Sequence, residues 1–496
     1  MAEKEPKDAA PVFEPSGEKE LAVLENFFSL VDTGKLFKSD DPVYYKKLRD
    51  SLQDALFRLL VEKRPYLEAE KELRWPYESL WKRMHLLNEA AQLSSSPFVR
   101  EQACLFLCRL PFPGQWQYLF QAEKTLAHLH ELQMMLVSEK AKIRKKIEGK
   151  AQKSFKLRHL FQVLKKPRLP HEKGVLRIFS LPYLFIDRAL LKELTRSYVL
   201  HVEPAAGVMY RHSWLRAFSG FSDPSVFGAA GEEDRRFLDT QAGIVTTELA
   251  HSDYLEDDIS LYSRPEKKFD IVFNGTYDEM HRKRHLKMLE LLRHPKLKTA
   301  KVLFLGRGKR ENVEEFIGRV SRCGVSDRVT VLSNLSRREV PGYLAGCRMA
   351  VHLALHENGC RCIHEYFRSD LPCVVSSYSA GINFDIINPQ TGAAAPEQDL
   401  ADAICRVLQD RDRFSPRSWF LSHSGSANAS ERLNAGLKAL FTALGYEWTE
   451  DIVPLGSSGA SRYVQAAHCE RFRPQFEAIY ETLTRKVRIP VKLELD

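Results

Sequence analysis

Apolar residues recur at helical spacing through the first third of the chain. Between residues 18 and 147, leucines and aromatic residues return every three or four positions, a pattern typical of amphipathic helices. Proline-containing breaks interrupt it at three places, 40–42, 94–97 and 111–114, where turns are expected. The pattern predicts an N-terminal domain of four to six helices, including a basic segment, over residues 19–170.

The rest of the chain alternates between short β-like runs and helical segments. Four such runs lie near residues 175–179, 198–202, 225–227 and 243–246, and the alternation is clearest over 268–445. Strands that alternate with helices predict parallel sheets covered on both faces. The predicted fold class is therefore α/β, with two Rossmann-like halves over residues 171–267 and 268–445 and an added N-terminal helical domain.

The two ends of the chain differ from this body. Residues 1–18 contain few large apolar groups, so they are predicted to be disordered. A tail over residues 446–496 carries a helical run from 460 to 485, in which Pro474 predicts a kink or a break.

Composition places the chain among soluble globular proteins. It has 496 residues, of which 44% are hydrophobic, which is enough for a sizeable core. No apolar run approaches the roughly 18 residues of a membrane span, and the N-terminus has no apolar signal-peptide core. Nine cysteines without repeated spacing fit reduced thiols. A cytoplasmic location is the expectation.

Positive charge is concentrated in one segment. The formal net charge is +9, which favours anionic partners. Between Lys140 and Arg168, lysines and arginines stand against the single acid Glu148, with apolar residues interleaved. Such a segment predicts peripheral contact with an acidic membrane, and a solvated helix face is the alternative. No nucleic-acid recognition signature accompanies it, so nucleic acid is not the expected partner.

Two glutamates stand eight positions apart in the most informative stretch, residues 356–365. Glu357 follows an apolar run near a glycine, and Glu365 lies inside a predicted helix. Eight helical steps turn a side chain by about 80° beyond two full turns, so one of the two acids must lie on the loop before the helix. A helix N-terminus between two acids suits a diphosphate flanked by two hydroxyl-bearing rings.

Further landmarks surround these acids in a fixed order. They are the strand and turn at 269–275, the basic triplet 282–284, the strand with a Gly-x-Gly turn at 301–308, the run 329–332 and the segment 388–392. Over residues 269–441 this ordered set resembles the retaining, metal-independent glycosyltransferases of family 4, which have two facing Rossmann domains (the GT-B fold).

The resemblance implies a site for a nucleoside diphosphate sugar, with no cofactor and no metal. It assigns Glu357 to the transferred sugar, Glu365 to the ribose, and Lys283, with Arg282 or Arg284 beside it, to the departing diphosphate. The choice among the three basic residues stays open. It also implies donor contacts at five further positions: Gly275, Gly306, Leu332, Gly359 and Cys360. A solvated helix acid and a helix-capping acid are the alternatives for the two glutamates.

The family also implies a catalytic histidine from the first half. His212, in a mixed aromatic and polar stretch, is the chosen candidate, with His201, His251 and the acid Glu203 as alternatives. Zinc binding by His356, Cys360, Cys362 and His364 is not favoured, because the spacing is not that of a structural zinc site.

Two positions depart from the family pattern. Asn358-Gly359-Cys360 replaces the usual Gly-Phe-Gly after the first glutamate, and the bulky pair Tyr366-Phe367 replaces small residues after the second. The expected function is transfer of a hexose to an unidentified acceptor, which is a glycan, a lipid-linked molecule or a protein. The alternative is a non-catalytic protein, either a nucleotide-sugar-binding protein or a scaffold. Such a protein would use the helical and basic N-terminal region for interactions.

Overall fold

The computed structural model describes most of the chain and divides it into two compact units, residues 1–112 and 113–496. The described residues are 17–59, 70–110, 155–156, 161–178, 188–204, 218, 220–259, 266–457, 463–486 and 493–494. The predicted disordered segment 1–18 lies outside them except for its last two residues, and the first helix already begins at Glu18.

The first unit is helical where it is described. Its helices are Glu18–Asp32, Pro42–Phe57, Glu70–Leu93 and Pro97–Arg109. Two of the predicted turns are confirmed: the Asp41 carboxylate accepts the Val43 N–H at 2.8 Å, and the Ser96 hydroxyl accepts the Val99 N–H at 3.3 Å. Each cap satisfies a backbone donor at a helix start, next to a proline that suits the first turn.

The core of this unit combines aliphatic and aromatic side chains with one buried cation. Leu24, Phe27 and Phe106 are fully buried, and the two phenylalanine rings stack at a centroid distance of 5.3 Å. Arg49 is also fully buried, and its Nη1 donates to the Gln102 Oε1 at 2.6 Å. A guanidinium is tolerated in such a core when it is paired, as Arg49 is through Gln102.

The second unit contains the strands. In chain order they are β1 (Phe155–Lys156), β2 (Phe161–Lys165), β3 (Gly174–Ile178), β4 (Tyr198–Val202), β5 (Ser225–Gly228), β6 (Ile244–Thr247), β7 (Phe269–Asn274), β8 (Val302–Gly306), β9 (Val329–Ser333), β10 (Cys347–His352), β11 (Cys373–Ser376), β12 (Gly392–Ala395) and β13 (Leu493–Glu494). Its helices are Arg188–Ser197, Glu232–Asp239, Met280–Lys283, His285–Leu292, Arg310–Arg322, Val340–Ala345, Arg361–Arg368, Leu400–Gln409, Pro416–His423, Gly425–Ala443, Ala467–Arg471 and Arg473–Lys486.

These strands form two main sheets. The first has the order β2-β3-β4-β5-β6, in which only the β2–β3 pair is antiparallel. The second has the order β12-β11-β10-β7-β8-β9 and is parallel throughout. The predicted α/β class with two Rossmann-like sheets and a helical N-terminal region is confirmed.

The first sheet begins earlier than the sequence indicated. The predicted boundary at residue 170 falls between β2 and β3, which pair from Phe161 to Ile178. The predicted basic helix therefore cannot extend through residues 161–165, where the chain is extended and every residue is buried. Lys165 is buried because it pairs with the Glu172 carboxylate, so its charge is not available to a membrane. Residues 140–154 and 157–160 lie outside the described residues.

The C-terminal tail lies along the first half. The Val453 N–H donates to the Leu164 carbonyl at 2.9 Å, and the Tyr463 hydroxyl donates to the Val163 carbonyl at 2.8 Å. The predicted break in the tail helix is at Phe472, which separates two helices, and Pro474 lies in the first turn of the second. Among the described residues, no helix is both long and apolar enough to cross a membrane.

Candidate functional site

The two glutamates of the motif are carried by a loop and a helix that follow strand β10. After the strand ends at His352, Gly359 adopts a left-handed conformation with φ of 63°, and the helix Arg361–Arg368 begins two residues later. Glu357 therefore lies on the loop and Glu365 in the helix. The side chains of both acids are mostly buried, with exposed fractions of 12% and 15%. This is the loop-and-helix arrangement that their spacing predicts.

Two cations converge on Glu357. The Lys283 ammonium donates to the Glu357 Oε1, and the Arg282 Nη1 lies 3.3 Å from the same oxygen. Burial disfavours the charged form of Lys283, but the attraction of Glu357 outweighs it and raises the pKa of the lysine. Arg282 also donates to the His356 carbonyl at 2.8 Å, which anchors the cation to the loop. Both cations are fixed in their charged forms.

The local backbone explains why Lys283 reaches the motif and Arg284 does not. A side chain on Gly275 would place its Cβ 3.2 Å from the Lys283 Cβ, so a glycine leaves room for the lysine. Arg284 has a left-handed φ of 62°, which turns it away to the Glu397 carboxylate. Its two terminal nitrogens bind that carboxylate at 2.6 and 2.7 Å. Of the basic triplet, only Lys283 and Arg282 are at the motif.

Glu365 is joined to the C-terminal tail through Arg361. The Arg361 Nε donates to the Glu365 Oε1 at 2.9 Å, and its Nη1 donates to the Ser457 carbonyl at 3.2 Å. Arg337 interacts electrostatically with Arg361 and Glu365. Burial and then the repulsion of Arg361 lower the pKa of Arg337. The second acid thus has cationic neighbours, as the first does.

The turn between the two acids packs against the first half. A Cβ on Gly359 would lie 2.2 Å from the Ser252 Oγ, so only a glycine fits there. Cys360, which is 4% exposed, places its Sγ 3.5 Å from the His352 Nδ1. Burial raises the pKa of Cys360, but hydrogen bonding from Cys362 and the proximity of His352 outweigh it, so the net shift is downward. The turn is narrow and its thiol is polarised.

The structure separates the four residues of the disfavoured zinc set. His364 turns to the Ser424 Oγ at 2.9 Å, while Cys360 lies beside His352. A different trio, His352, Glu357 and Cys360, has one potential ligand atom each within 4.8 Å of the others. The Lys283 ammonium already binds the carboxylate of that trio, so a metal ion there would compete with a fixed positive charge.

Gly306 and Leu332 have structural surroundings that explain their place at the strand ends. A Cβ on Gly306 would lie 2.0 Å from the Gly275 carbonyl oxygen, so the glycine allows two strand ends to approach. Leu332 is half-buried in β9, and its carbonyl accepts the Tyr277 hydroxyl at 3.1 Å. Both residues shape the strand ends beside Gly275 and Tyr277.

Glu203, an alternative candidate in the first half, is the centre of a buried cluster. The Arg177 Nε and Nη2 both donate to its carboxylate at 2.7 Å, and the His201 Nε2 lies 3.2 Å away. The His251 Nε2 lies 3.0 Å from the Ser457 carbonyl, an oxygen that can only accept, so this nitrogen carries a proton. His212, the chosen candidate, lies outside the described residues.

Sequence reasoning missed three residues that the structure brings to the motif. The Asn358 Nδ2 donates to the Pro204 carbonyl at 2.6 Å, and its Oδ1 accepts the Ala230 N–H at 3.2 Å, so this departure from the family pattern joins the two halves. Arg361 could have been found, because it stands four positions before Glu365 on one helix. Ser457 offered no signal, since its contact is made by a backbone carbonyl.

The bulky residue Tyr366 also has a structural explanation. It is fully buried, and its hydroxyl accepts the Asn274 N–H at 3.0 Å, at the end of β7. The phenol thus fixes the strand end that precedes Gly275. Tyr366 therefore stabilises the end of β7 beside the site, and its bulky ring is packed in the core.

The family described as Glycosyl transferases group 1 matches residues 268–410. This part of the chain contains the second sheet, the two motif glutamates and the basic triplet. The resemblance recognised from the sequence is confirmed over residues 268–410, which are similar to this family. No curated protein matches the chain.

Several solved structures are similar to part of the chain. The pneumococcal O-GlcNAc transferase GtfA in complex with UDP and GlcNAc shares 14% identity over 51% of this chain and 54% of its own, with a TM-score of 0.37. HepE of Anabaena in complex with UDP-glucose shares 13% sequence identity, over 53% of this chain and 78% of its own, with a TM-score of 0.43. Sucrose-phosphate synthase of Thermosynechococcus elongatus shares 16% sequence identity, over 54% of this chain and 73% of its own, with a TM-score of 0.42. This chain therefore spans about half the length of GtfA.

Proposed function

We propose that the group 1 glycosyl transferase domain transfers a hexose from a nucleoside diphosphate sugar to an acceptor, with retention and without a divalent metal. The observation that carries this proposal is the convergence of Lys283 and Arg282 on Glu357, beside the start of the helix Arg361–Arg368. Arg282 also pairs with the half-exposed carboxylate of Glu279, so the two cations are held by two acids, and a helix start adds backbone N–H groups without intrahelical partners.

Each group has a role in separating the sugar from the diphosphate. Lys283 and Arg282 stabilise the negative charge that develops on the leaving group, the task that a metal ion performs elsewhere. When the diphosphate takes over the Lys283 ammonium, the Glu357 carboxylate is free to accept hydrogen bonds from the sugar hydroxyls. Glu365 can accept two hydrogen bonds from the ribose diol. The hydrogen bond from Arg361 orients Glu365.

The acceptor side of the proposal concerns the first half. A proton acceptor for the attacking hydroxyl is expected from the first half, and His212 remains the proposed residue. The acceptor is proposed to be a glycan, a lipid-linked molecule or a protein. Peripheral contact with an acidic membrane, in a cytoplasmic protein, rests on the basic residues before β2.

The test is a donor panel on the purified full chain. UDP-glucose, GDP-mannose and ADP-glucose are compared by thermal unfolding, where a donor at a hundredfold its dissociation constant adds about 2.7 kcal/mol of stability. Slow hydrolysis of the preferred donor is then followed. We expect Glu357→Gln to lower hydrolysis at least a hundredfold while binding persists, and Glu365→Gln to weaken binding roughly tenfold.

The matched control is Glu311→Gln, which removes an exposed acid on the neighbouring helix Arg310–Arg322. It should leave both donor affinity and hydrolysis unchanged. Unchanged affinity in Glu365→Gln would overturn the assignment of the ribose to that acid. Absence of binding for all three donors would overturn the proposal as a whole.

One observation favours a second candidate, a nucleotide-sugar sensor without turnover. Asn358 ties the motif loop to the first half through hydrogen bonds to Pro204 and Ala230, which restrains the loop where the family has a glycine. The same panel distinguishes the two functions. Donor binding without hydrolysis or transfer to any acceptor supports the sensor, whereas hydrolysis that is lost in Glu357→Gln supports the enzyme.

A further inference from the structure

A cavity lies outside the candidate site around Glu357 and Glu365. It has a volume of about 350 Å³, within the range of small-ligand pockets. Its wall combines residues near β6 with the loop after β11 and the helices Pro416–His423 and Gly425–Ala443, so both Rossmann-like halves contribute. The side chains that define this Trp419 cavity are Glu248, Asp253, Asp385, Trp419, His423 and Glu431.

One wall of the Trp419 cavity is formed by two stacked aromatic rings. The rings of Trp419 and His423 are nearly parallel, at 9°, with centroids 5.3 Å apart. The Phe367 ring meets the indole edge-on at 5.7 Å, which fixes the indole from the side of the core. The Trp419 indole N–H has no hydrogen-bond acceptor among the described residues. A fixed aromatic face with an unused donor is suited to an amphipathic ring.

The acids of the cavity are only partly neutralised. Glu248 pairs with Arg432 and with Arg235, the latter at 3.0 Å. The carboxylates of Asp385 and Glu431 have no ion pair or hydrogen bond within the part of the chain that the structure describes. Four acids thus line the cavity against two cations, Arg432 and Arg235, and both of these cations pair with Glu248. A phosphate-bearing or carboxylate-bearing ligand would be repelled.

A buried carboxylate completes the lining. Asp253 is 7% exposed; its Oδ2 accepts the Ala250 N–H at 2.9 Å, while its Oδ1 is 4.0 Å from the His364 Nε2, beyond hydrogen-bond distance. His364 belongs to the motif helix and is also held by Ser424, another cavity residue. A lining residue of the cavity, Ser424, therefore contacts the helix that carries Glu365.

We propose that the Trp419 cavity is a binding site for an uncharged saccharide. The aromatic face would pack against the C–H face of a sugar ring, and the carboxylates of Asp385 and Glu431 would accept hydrogen bonds from its hydroxyls. The surplus of acids excludes nucleotides and nucleotide sugars. The saccharide site is thus chemically distinct from the candidate site around Glu357 and Glu365. The saccharide proposal does not depend on the proposed function.

Calorimetric titration of the full chain tests this assignment. The probes are maltotriose, cellotriose and triacetylchitotriose, each titrated with and without an excess of mixed UDP, GDP and ADP, and trigalacturonate serves as an anionic probe of similar size. We expect at least one neutral trisaccharide to bind equally well in the presence of the nucleotides. Trigalacturonate should bind at least tenfold more weakly.

Two variants locate the binding. Trp419→Ala should weaken the affinity for the neutral trisaccharide at least tenfold. The double variant Asp385→Asn with Glu431→Gln changes exposed side chains only, so it should weaken this affinity at least tenfold without affecting folding. Asp412→Asn removes an exposed acid outside the cavity and should change nothing. Failure of all three neutral probes to bind, displacement by nucleotides, or unchanged affinity in the double variant would each overturn the proposal.

Discussion

Glu203 and Glu357 occupy comparable places in the two halves, each after the carboxyl end of a parallel strand. Glu203 follows β4 directly, its side chain is 2% exposed, and one guanidinium, that of Arg177, binds both of its oxygens. Glu357 follows β10 by a loop, its side chain is 12% exposed, and it shares two cations. The buried pair is matched one to one, whereas Glu357 is partly exposed and shares one of its two cations, Arg282, with Glu279.

The pKa shifts follow the same division. Burial alone would raise the pKa of Glu203, but the Arg177 charge and the two histidines outweigh it and hold the pKa well below its usual range. At the motif it is the cation whose pKa is displaced, since Glu357 raises that of Lys283. In one half the network fixes an acid, and in the other it fixes a base in its charged form.

The largest expected effect comes from breaking the buried pair. Glu203→Gln leaves the Arg177 guanidinium buried without a compensating charge, so the free energy of unfolding should fall by about 3 to 5 kcal/mol. Urea unfolding at pH 7 measures it. The double variant Arg177→Met with Glu203→Met should recover part of this loss, because it removes both charges. A loss of free energy of unfolding below about 1 kcal/mol in Glu203→Gln would mean that the Arg177–Glu203 pair has no structural role.

His285 separates burial from ion pairing, because it is buried and has no acid partner among the residues that the structure describes. Burial lowers its pKa to about 4, while the unfolded chain has a histidine pKa near 6.5. The unfolded state therefore takes up a proton first, and the stability that is present above pH 6.5 is lost as the pH falls to 4. The loss should be about 3 kcal/mol.

The matched variant is His285→Phe, since the ring lies 5.0 Å from Phe273 and 5.2 Å from Phe316 in an aromatic cluster. Urea unfolding of both proteins at pH 7.5, 6, 5 and 4 gives the comparison. The stability of the wild type should decline more steeply than that of the variant across this window. Parallel declines would mean that His285 titrates normally in the folded protein.

Lys283→Met is the counterpart of the Glu203 variant in the ligand-binding half. Arg282 still neutralises Glu357, so the free energy of unfolding should change by less than about 1 kcal/mol. Donor affinity should fall roughly 30-fold, about 2 kcal/mol for a lost charged contact. Lys283→Arg, which keeps the charge, should recover most of the affinity. A large loss of stability with unchanged affinity would reverse the comparison between the two acids.

The sequence was sufficient for those features that depend on local pattern. The helices at 42–57 and 97–109 follow from proline and capping residues, and the loop-and-helix placement of Glu357 and Glu365 follows from their spacing alone. Strand positions in both sheets also came from short apolar runs. Each of these features is decided by residues close together in the chain.

Features that depend on distant partners could not be predicted. The strand β2 resembled part of a basic helix because the partner that neutralises Lys165, Glu172, becomes its neighbour only when β2 and β3 pair. The choice among the three basic residues depended on the left-handed backbone of Arg284 and on Glu397, which is more than a hundred positions away. Charge alone could not distinguish them.

The smallest expected effect concerns the link between the two acids. Asn358 directly follows Glu357, and its Nδ2 donates to the carbonyl of Pro204, which directly follows Glu203. Asn358→Ala should lower the free energy of unfolding by about 1 to 1.5 kcal/mol, because the buried Ala230 N–H loses its acceptor. Gln409→Ala, at an exposed amide, is the control and should have no effect.

Hydrogen exchange gives the sharper readout of this link. In the Asn358→Ala variant the Ala230 amide should exchange roughly tenfold faster, since its acceptor Oδ1 is removed, while amides of the central strand β7 keep their rates. Faster exchange at both places would mean that the variant destabilises the whole unit. Unchanged exchange at Ala230 would mean that the two halves are not held together through Asn358, and the strand-end acids would then act independently.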